Sequence, residues 1–280
     1  SKLSREPPKN SMKEDLNMTN AKSRGAVWLE KLAPAGVPFL PLVDSVKAVE
    51  QDGVIYVAVV PDPNNHYPRA RTGEVGLLEG WTLAKTISTI VKEDADKAEK
   101  RPIVAIVDVT SQAYGRREEA FGIHQALAGS VAAYAKAREA GHPIVSLIVG
   151  KAMSGAFLAH GYQANRILAL DDPKVLIHAM GKESAARITL RSVAELDKFA
   201  AKVPPMAYDI KHYAELGLLE KLLKVSSADD PSEADVKQAA DEIAAAIQKA
   251  KESPRDLRNR LGSPNRKATS EVRRLVKEAW

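Results

Sequence analysis

The segment Pro143-Ile144-Val145-Ser146-Leu147-Ile148-Val149-Gly150-Lys151-Ala152-Met153-Ser154-Gly155-Ala156 decides how this chain folds. Its apolar, β-branched opening reads as a buried strand, and its small residues read as a turn into a helix. Forty-one residues earlier, Pro102-Ile103-Val104-Ala105-Ile106-Val107 opens in the same way and also leads through a turn into a helix. A strand, turn and helix used twice implies right-handed crossovers and parallel neighbouring strands. It also leaves unpaired backbone N–H groups at the start of each helix, where developing negative charge can be held. The turn from Gly150 to Ala156 is therefore the first place to look for chemistry.

The composition suits such layers. Of 280 residues, 45% are apolar but only 5% aromatic, so Ala, Val, Ile and Leu must fill the core, which favours α/β layers over an aromatic-rich sandwich. The absence of cysteine excludes disulfides, thiolate metal sites and a cysteine nucleophile, and it fits a cytoplasmic protein. The formal net charge of +5 sits at the ends: residues 251–280 carry nine Lys/Arg against four Asp/Glu, and residues 1–24 carry six against three. The body between them is slightly acidic, which argues against a nucleic-acid-binding protein. Residues 1–23 are polar, contain Pro7 and Pro8 and lack an apolar run, so a disordered extension is expected there, not a signal peptide or anchor. No segment approaches the roughly 18 consecutive apolar residues of a spanning helix, so no membrane association is expected.

Along the chain, Trp28, Leu29 and Leu32 suggest a short amphipathic helix before a link containing Pro34, Pro38 and Pro41. Val54–Val60 reads as a strand after the Asp52-Gly53 turn, and Pro61–Thr72 as a surface loop. Helices are expected from Gly73 to about Lys92, from Glu118 to Ala140 and from Ser154 to about Tyr162, with short strands at Ile167–Leu170 and Val175–His178. From Val193 onward the pattern is helical, ending in a basic helix near Thr269–Ala279. The expected organisation is an extension over 1–23, one α/β domain over 24–250 and a basic helical tail over 251–280.

Backbone amides stabilise an oxyanion only where the chain approaches its ligand closely, and Gly155 and Ala156 are small enough to permit that. The competing explanation is that they merely let helix and sheet pack. Ser154 with His160 or His178 does not form a hydrolase elbow, because Ala152 and Ala156 stand where that motif needs glycines; Ser154 suits a helix N-cap better. The six histidines show no helical metal spacing, so no metal is expected. His66 and His178 are candidates for proton transfer, although simple hydrogen-bonded roles account for both. Arg69 and Arg71 suit a carboxylate or phosphate, or equally a solvated loop.

The order Asp108-Val109-Thr110-Ser111-Gln112-Ala113-Tyr114-Gly115, a long helix, then Lys151-Ala152-Met153-Ser154-Gly155-Ala156 resembles the carboxyltransferases of the crotonase superfamily. The first segment is similar to their D-x-P-G-x-x-x-G turn, though without its Pro-Gly pair. The second is similar to their K-A-x-G-G-A oxyanion turn, with Ser154 in place of the first glycine. His178-Ala179-Met180-Gly181 resembles their V-M-G segment. Together with Arg24-Gly25, Trp28 and the run Arg69–Gly80, the chain from about Ser23 to Trp280 looks like the gamma subunits of biotin-independent malonate decarboxylases.

The resemblance implies a crotonase-like α/β spiral of β-β-α units with helical C-terminal additions. It further implies a lyase that converts malonyl-S-acyl carrier protein into acetyl-S-acyl carrier protein and CO2. The backbone N–H groups of Gly155 and Ala156 would hold the enolate oxygen. Tyr114, Gly115, Met153, Ser154 and Gly181 would line the substrate site. No tightly bound cofactor is implied, since the thioester arrives on a CoA-like prosthetic group. The implied partners are a homologous beta subunit, the carrier protein (delta) and an alpha transferase subunit. The other enzyme reading is the alpha-type carboxyltransferase half of a biotin-dependent acyl-CoA carboxylase. The basic tail, with Arg255, Arg258, Arg260, Arg266, Lys267, Arg273 and Arg274, would then attract an acidic carrier or serve only as an exposed helix.

Overall fold

The computed structural model describes residues 22–40 and 43–280. The extension expected over 1–23 lies almost wholly outside the described residues. Among the described residues the sheet has eight strands: β1 (Val37–Pro38), β2 (Val46–Gln51), β3 (Val54–Val59), β4 (Ile103–Val109), β5 (Ile144–Met153), β6 (Arg166–Leu170), β7 (Leu176–His178) and β8 (Lys221–Leu223). They run in the order β1-β2-β3-β4-β5-β6-β8, and β7 pairs with β5 beyond the end of β6. The helices are α1 (Arg24–Leu32), α2 (Leu77–Glu93), α3 (Arg116–Ala120), α4 (Ile123–Glu139), α5 (Ser154–Ala159), α6 (Lys182–Ile188), α7 (Val193–Ala200), α8 (Ile210–Glu215), α9 (Glu233–Lys251) and α10 (Lys267–Ala279).

The two repeated segments lie side by side. β4 and β5 pair in parallel with Ile103 opposite Ile144 and Val107 opposite Ile148, the same offset that separates the motifs in sequence. Each opens on a proline, which has no N–H to donate but can accept: Ile103 N donates to Pro143 O (2.9 Å) and Ile55 N to Pro102 O (3.0 Å). Both strands are buried on both faces, as their unbroken apolar runs demand. α2 and α4 pack together on one side of the sheet. On the other, α1 places Trp28 in the core with its Nε1 donating to Ala228 O at 2.9 Å.

Several boundaries differ from the sequence reading, each for a local reason. The expected helix Glu118–Ala140 is two helices, because Gly122 adopts a left-handed φ of 79° that ends one and starts the other. Parallel pairing holds from β3 onward, but β2 and β3 form an antiparallel hairpin at Asp52-Gly53, so the proline-rich link leads into a strand that the sequence reading missed. β8 lies in the stretch read as all helix; three residues are too few to show a period. α8 covers only Ile210–Glu215, because Pro204–Met206 forms a separate 3-10 turn. β5 continues through Gly150 to Met153, so the turn begins later than expected.

Candidate functional site at the end of β5

Gly150 lies within β5 where the pairing with β4 slips: Val107 faces Ile148, but Val109 faces Ala152. Asp108 stabilises the slip. Its carboxylate accepts from Lys151 N (3.1 Å) and from Gly25 N (3.3 Å), while Arg24 Nη1 donates to Val149 O (3.0 Å) and pairs with Asp172 at 2.9 Å. Position 150 has to be glycine, since a Cβ there would lie 2.1 Å from Asp108 Oδ1. The two extra residues hold the end of β5 back against β4, which brings the turn after one strand level with the turn after the other.

At that level Gly155 N donates to Gln112 Oε1 at 3.2 Å. A Cβ on Gly155 would lie 2.3 Å from that oxygen, so the side chain of Gln112 occupies the space a larger residue would need. Gln112 is held by its backbone: Val75 N donates to Ser111 O (3.0 Å), Ala113 N to Val75 O (2.7 Å) and Tyr114 N to Gln112 O (2.9 Å). Ser154, immediately before Gly155, has φ 60°, a left-handed conformation that costs a non-glycine residue about 1–2 kcal/mol. It is the first residue of α5 rather than its N-cap, which is Met153.

Ser154, Gly155 and Gln112 line a cleft of about 820 Å³ at the C-terminal edge of the parallel strands, the edge where α/β sheets place ligands. Its far wall is largely apolar, with Leu158, Met180, Met206 and Leu216. Ala156 is fully buried beside this wall and is not part of its lining. Met153 packs with Ala185, Ala186, Leu196 and Tyr208 in a small satellite core. Tyr114 is exposed, with the guanidinium of Arg69 4.4 Å from its ring centre. Gly115 and Gly181 cap α3 and α6. Of the substrate-site residues named from sequence, the cleft thus gathers Ser154 and Gly155, while Tyr114, Gly115, Met153 and Gly181 are not part of its lining. Gln112, quoted within its motif but given no role, is the contact that spacing alone did not reveal.

His178 also lines the cleft, stacked on Tyr208 with ring centres 3.9 Å apart. Tyr208 OH donates to Met180 O at 2.7 Å, and burial pushes its phenol up to about 12. Burial also lowers the pKa of His178, which keeps its ring neutral at pH 7. His160 has both nitrogens engaged, Nδ1 with Tyr134 OH (3.0 Å) and Nε2 with Ile106 O (2.9 Å), so it joins α5 to β4 and is no partner for Ser154. His66 meets Arg117 on the surface at 2.7 Å. Arg69 pairs with Glu74 and Arg71 donates to Asn65 O. Among the described residues no group of His, Asp or Glu could hold a metal ion, and no helix is long and apolar enough to cross a membrane.

Residues 70–280 match the family model of the malonate decarboxylase gamma subunit. A Pseudomonas malonate decarboxylase hetero-tetramer solved with coenzyme A contains a chain 57% identical to this one, with a TM-score of 0.88 over 92% of this chain and 100% of that chain. A Pseudomonas malonate decarboxylase hetero-dimer has one at 56% identity and a TM-score of 0.84, with the same coverage. The malonyl-S-ACP:biotin-protein carboxyltransferase MADD of Malonomonas rubra is 35% identical over 186 residues, which is 65% of this chain and 64% of that protein's length. Transcarboxylase 12S shares the fold at 19% identity, with a TM-score of 0.58 over 81% of this chain and 42% of its own.

Proposed function

This chain belongs to the malonate decarboxylase gamma-subunit family, and from that premise we propose that it supplies one wall of an acyl site that removes CO2 from a malonyl thioester. It is a subunit of a carboxy-lyase and works within a complex. The observation that carries the catalytic reading is the Gly155 amide, presented on a cleft and already bonded to a carbonyl oxygen, that of Gln112.

Decarboxylation breaks the bond between the α-carbon and the carboxylate. CO2 leaves, the electron pair delocalises from the α-carbon onto the thioester oxygen, and a proton then adds at carbon to give the acetyl thioester. An N–H donor bonds more strongly to the enolate oxygen than to the neutral carbonyl, so it lowers the barrier rather than merely tightening binding. Gly155 N–H is the donor that reaches the cleft. The amide of Ala156, buried next to it, is the second donor of the pair and requires the turn to open toward the substrate. The apolar wall keeps water from the enolate and strengthens the bond.

A homologous beta subunit closes the site in this reading, as the Pseudomonas hetero-dimer supports. The substrate thioester is carried on an acyl carrier protein, which the carrier-linked substrate of the Malonomonas relative supports. The alpha transferase subunit completes the proposed assembly. Transfer to biotin is the second reading, and that same relative, a biotin-protein carboxyltransferase, favours it; the higher identity to decarboxylases outweighs it.

The proposed tail is less basic than its composition suggests. Arg260 is buried, Arg255 donates to Glu139 O, Arg266 donates to Arg260 O, and Arg258 and Arg274 pair with nearby carboxylates. The cations left for a carrier are Lys267, Arg273 and Lys277 on α10, a helix with no buried residue.

The deciding experiment mixes the chain with its beta partner and malonyl-S-acyl carrier protein and follows CO2 release. Gly155→Pro removes the N–H, and its ring also displaces the Gln112 side chain; with folding confirmed, it should cost on the order of a hundredfold in turnover. Turnover at the normal rate would sink the reading, and carboxylation of an added biotin carrier would favour the alternative.

A further inference from the structure

We infer that Gln112 is a resident competitor for the oxyanion position, a side chain whose carbonyl must leave Gly155 N–H before a thioester can be activated. The inference rests on the reading of Gly155 given above.

A carboxamide C=O and a thioester C=O present the same kind of acceptor, and Gln112 Oε1 sits where a substrate oxygen would have to sit, 3.2 Å from the amide. The space does not admit both. Gly155 has room for no Cβ because that oxygen fills it, with Leu127 Cδ1 closing the other side at 3.2 Å from the same point. The backbone around Gln112 is fixed on Val75, so the side chain can turn away without moving the strand. Its amide nitrogen donates to no group among the described residues, so leaving costs Gln112 only the bond to Gly155.

This arrangement has a physical rationale. A turn amide with no acceptor would be a costly orphan, and Gln112 satisfies it while the site is empty. Against a neutral thioester the exchange is nearly even, one amide–carbonyl bond for another. Against the enolate it is strongly favourable, because a charged acceptor binds the donor about twice as well. Displacing Gln112 therefore costs the bound thioester and its transition state the same amount relative to the free enzyme, which raises KM and leaves kcat unchanged.

The alternative is that Gln112 simply caps a short helix, and the two roles part in kinetics. In the complex with the beta partner, Gln112→Met should lower KM for the malonyl thioester roughly three- to tenfold, the worth of one neutral hydrogen bond. Gln112→Glu should raise KM by about tenfold at neutral pH, because a carboxylate holds the amide harder, and this rise should fade on acidification as the carboxylate is protonated. A crystal structure of that complex with an acetyl thioester should show the thioester oxygen on Gly155 N–H and Gln112 turned away. Should the thioester oxygen bind Gly155 N–H beside an unmoved Gln112, with KM unchanged in both variants and Gly155→Pro still inactive, the competitor role is wrong while the oxyanion reading stands. A thioester bound elsewhere, with Gly155→Pro fully active, overturns both.

Discussion

The junctions that follow β4 and β5 start from nearly the same sequence and end differently. After β4 the chain leaves the sheet in extended form, is fastened to Val75, and reaches α3 only at Gly115. After β5 it enters α5 at once, through the left-handed turn at Ser154. The strands repeat because burial on both faces demands the same β-branched apolar run in each. The junctions diverge because one supplies an acceptor side chain, Gln112, and the other a bare amide, Gly155. The contact between them exists only because β5 is slipped against β4, so the largest test of the comparison is to remove the slip.

Asp108→Ala strips the acceptor from Gly25 N, which is partly buried, and from Lys151 N at an exposed position. The partly buried orphan costs about 1–3 kcal/mol and the exposed one less, so urea denaturation should show a loss of about 3 kcal/mol. Gly150→Ala should be comparably harmful, since its Cβ meets Asp108 Oδ1. The double variant tests the cause: the added methyl should cost clearly less once Asp108 is gone. Strict additivity would mean that the slip is maintained by something other than this pair.

His160 ties the two units at a second point, and its test is nearly as large. Burial lowers its pKa from the ordinary 6.5 to about 4, so the folded state takes up its proton later than the unfolded state does. Between pH 6.5 and 4 the unfolded chain therefore binds more protons, and stability falls as pH falls. For a shift of this size the loss is about 3 kcal/mol across that window. His160→Gln, though less stable at pH 7, should lack this component, so the two denaturation curves should converge toward pH 4. Parallel curves would show that burial does not hold the ring neutral.

How much of this could be read beforehand follows from the same contrast. The paired strands were legible because their pattern is dictated by burial, and the register of β4 on β5 equals the spacing of the motifs. The place of Gly155 on the cleft was legible because close approach requires a small residue. Gln112 was not: a glutamine in a loop is unremarkable until a bulge two residues long places it opposite a particular amide. The β2–β3 hairpin was hidden by the prolines before it, and β8 by its brevity. The position of Ser154 was misread for a related reason, since serine commonly caps helices and nothing in its neighbours signals a positive φ.

Ser154 yields the smallest expected effect and the sharpest contrast between the junctions, because the first junction has no counterpart to its strain. Glycine adopts φ 60° without the clash that serine's Cβ suffers, which recovers about 1–2 kcal/mol. The unfolded chain gains freedom from the same change, which removes about 0.4–1 kcal/mol of that benefit. Ser154→Gly should therefore stabilise the chain by about 0.5–1 kcal/mol, read as a Tm higher by a degree or two. A stabilised variant with slower CO2 release would mean that the strain helps aim Gly155 N–H into the cleft. A destabilised one would mean that the Ser154 side chain makes up for its backbone, and that the two junctions differ less than their dihedral angles imply.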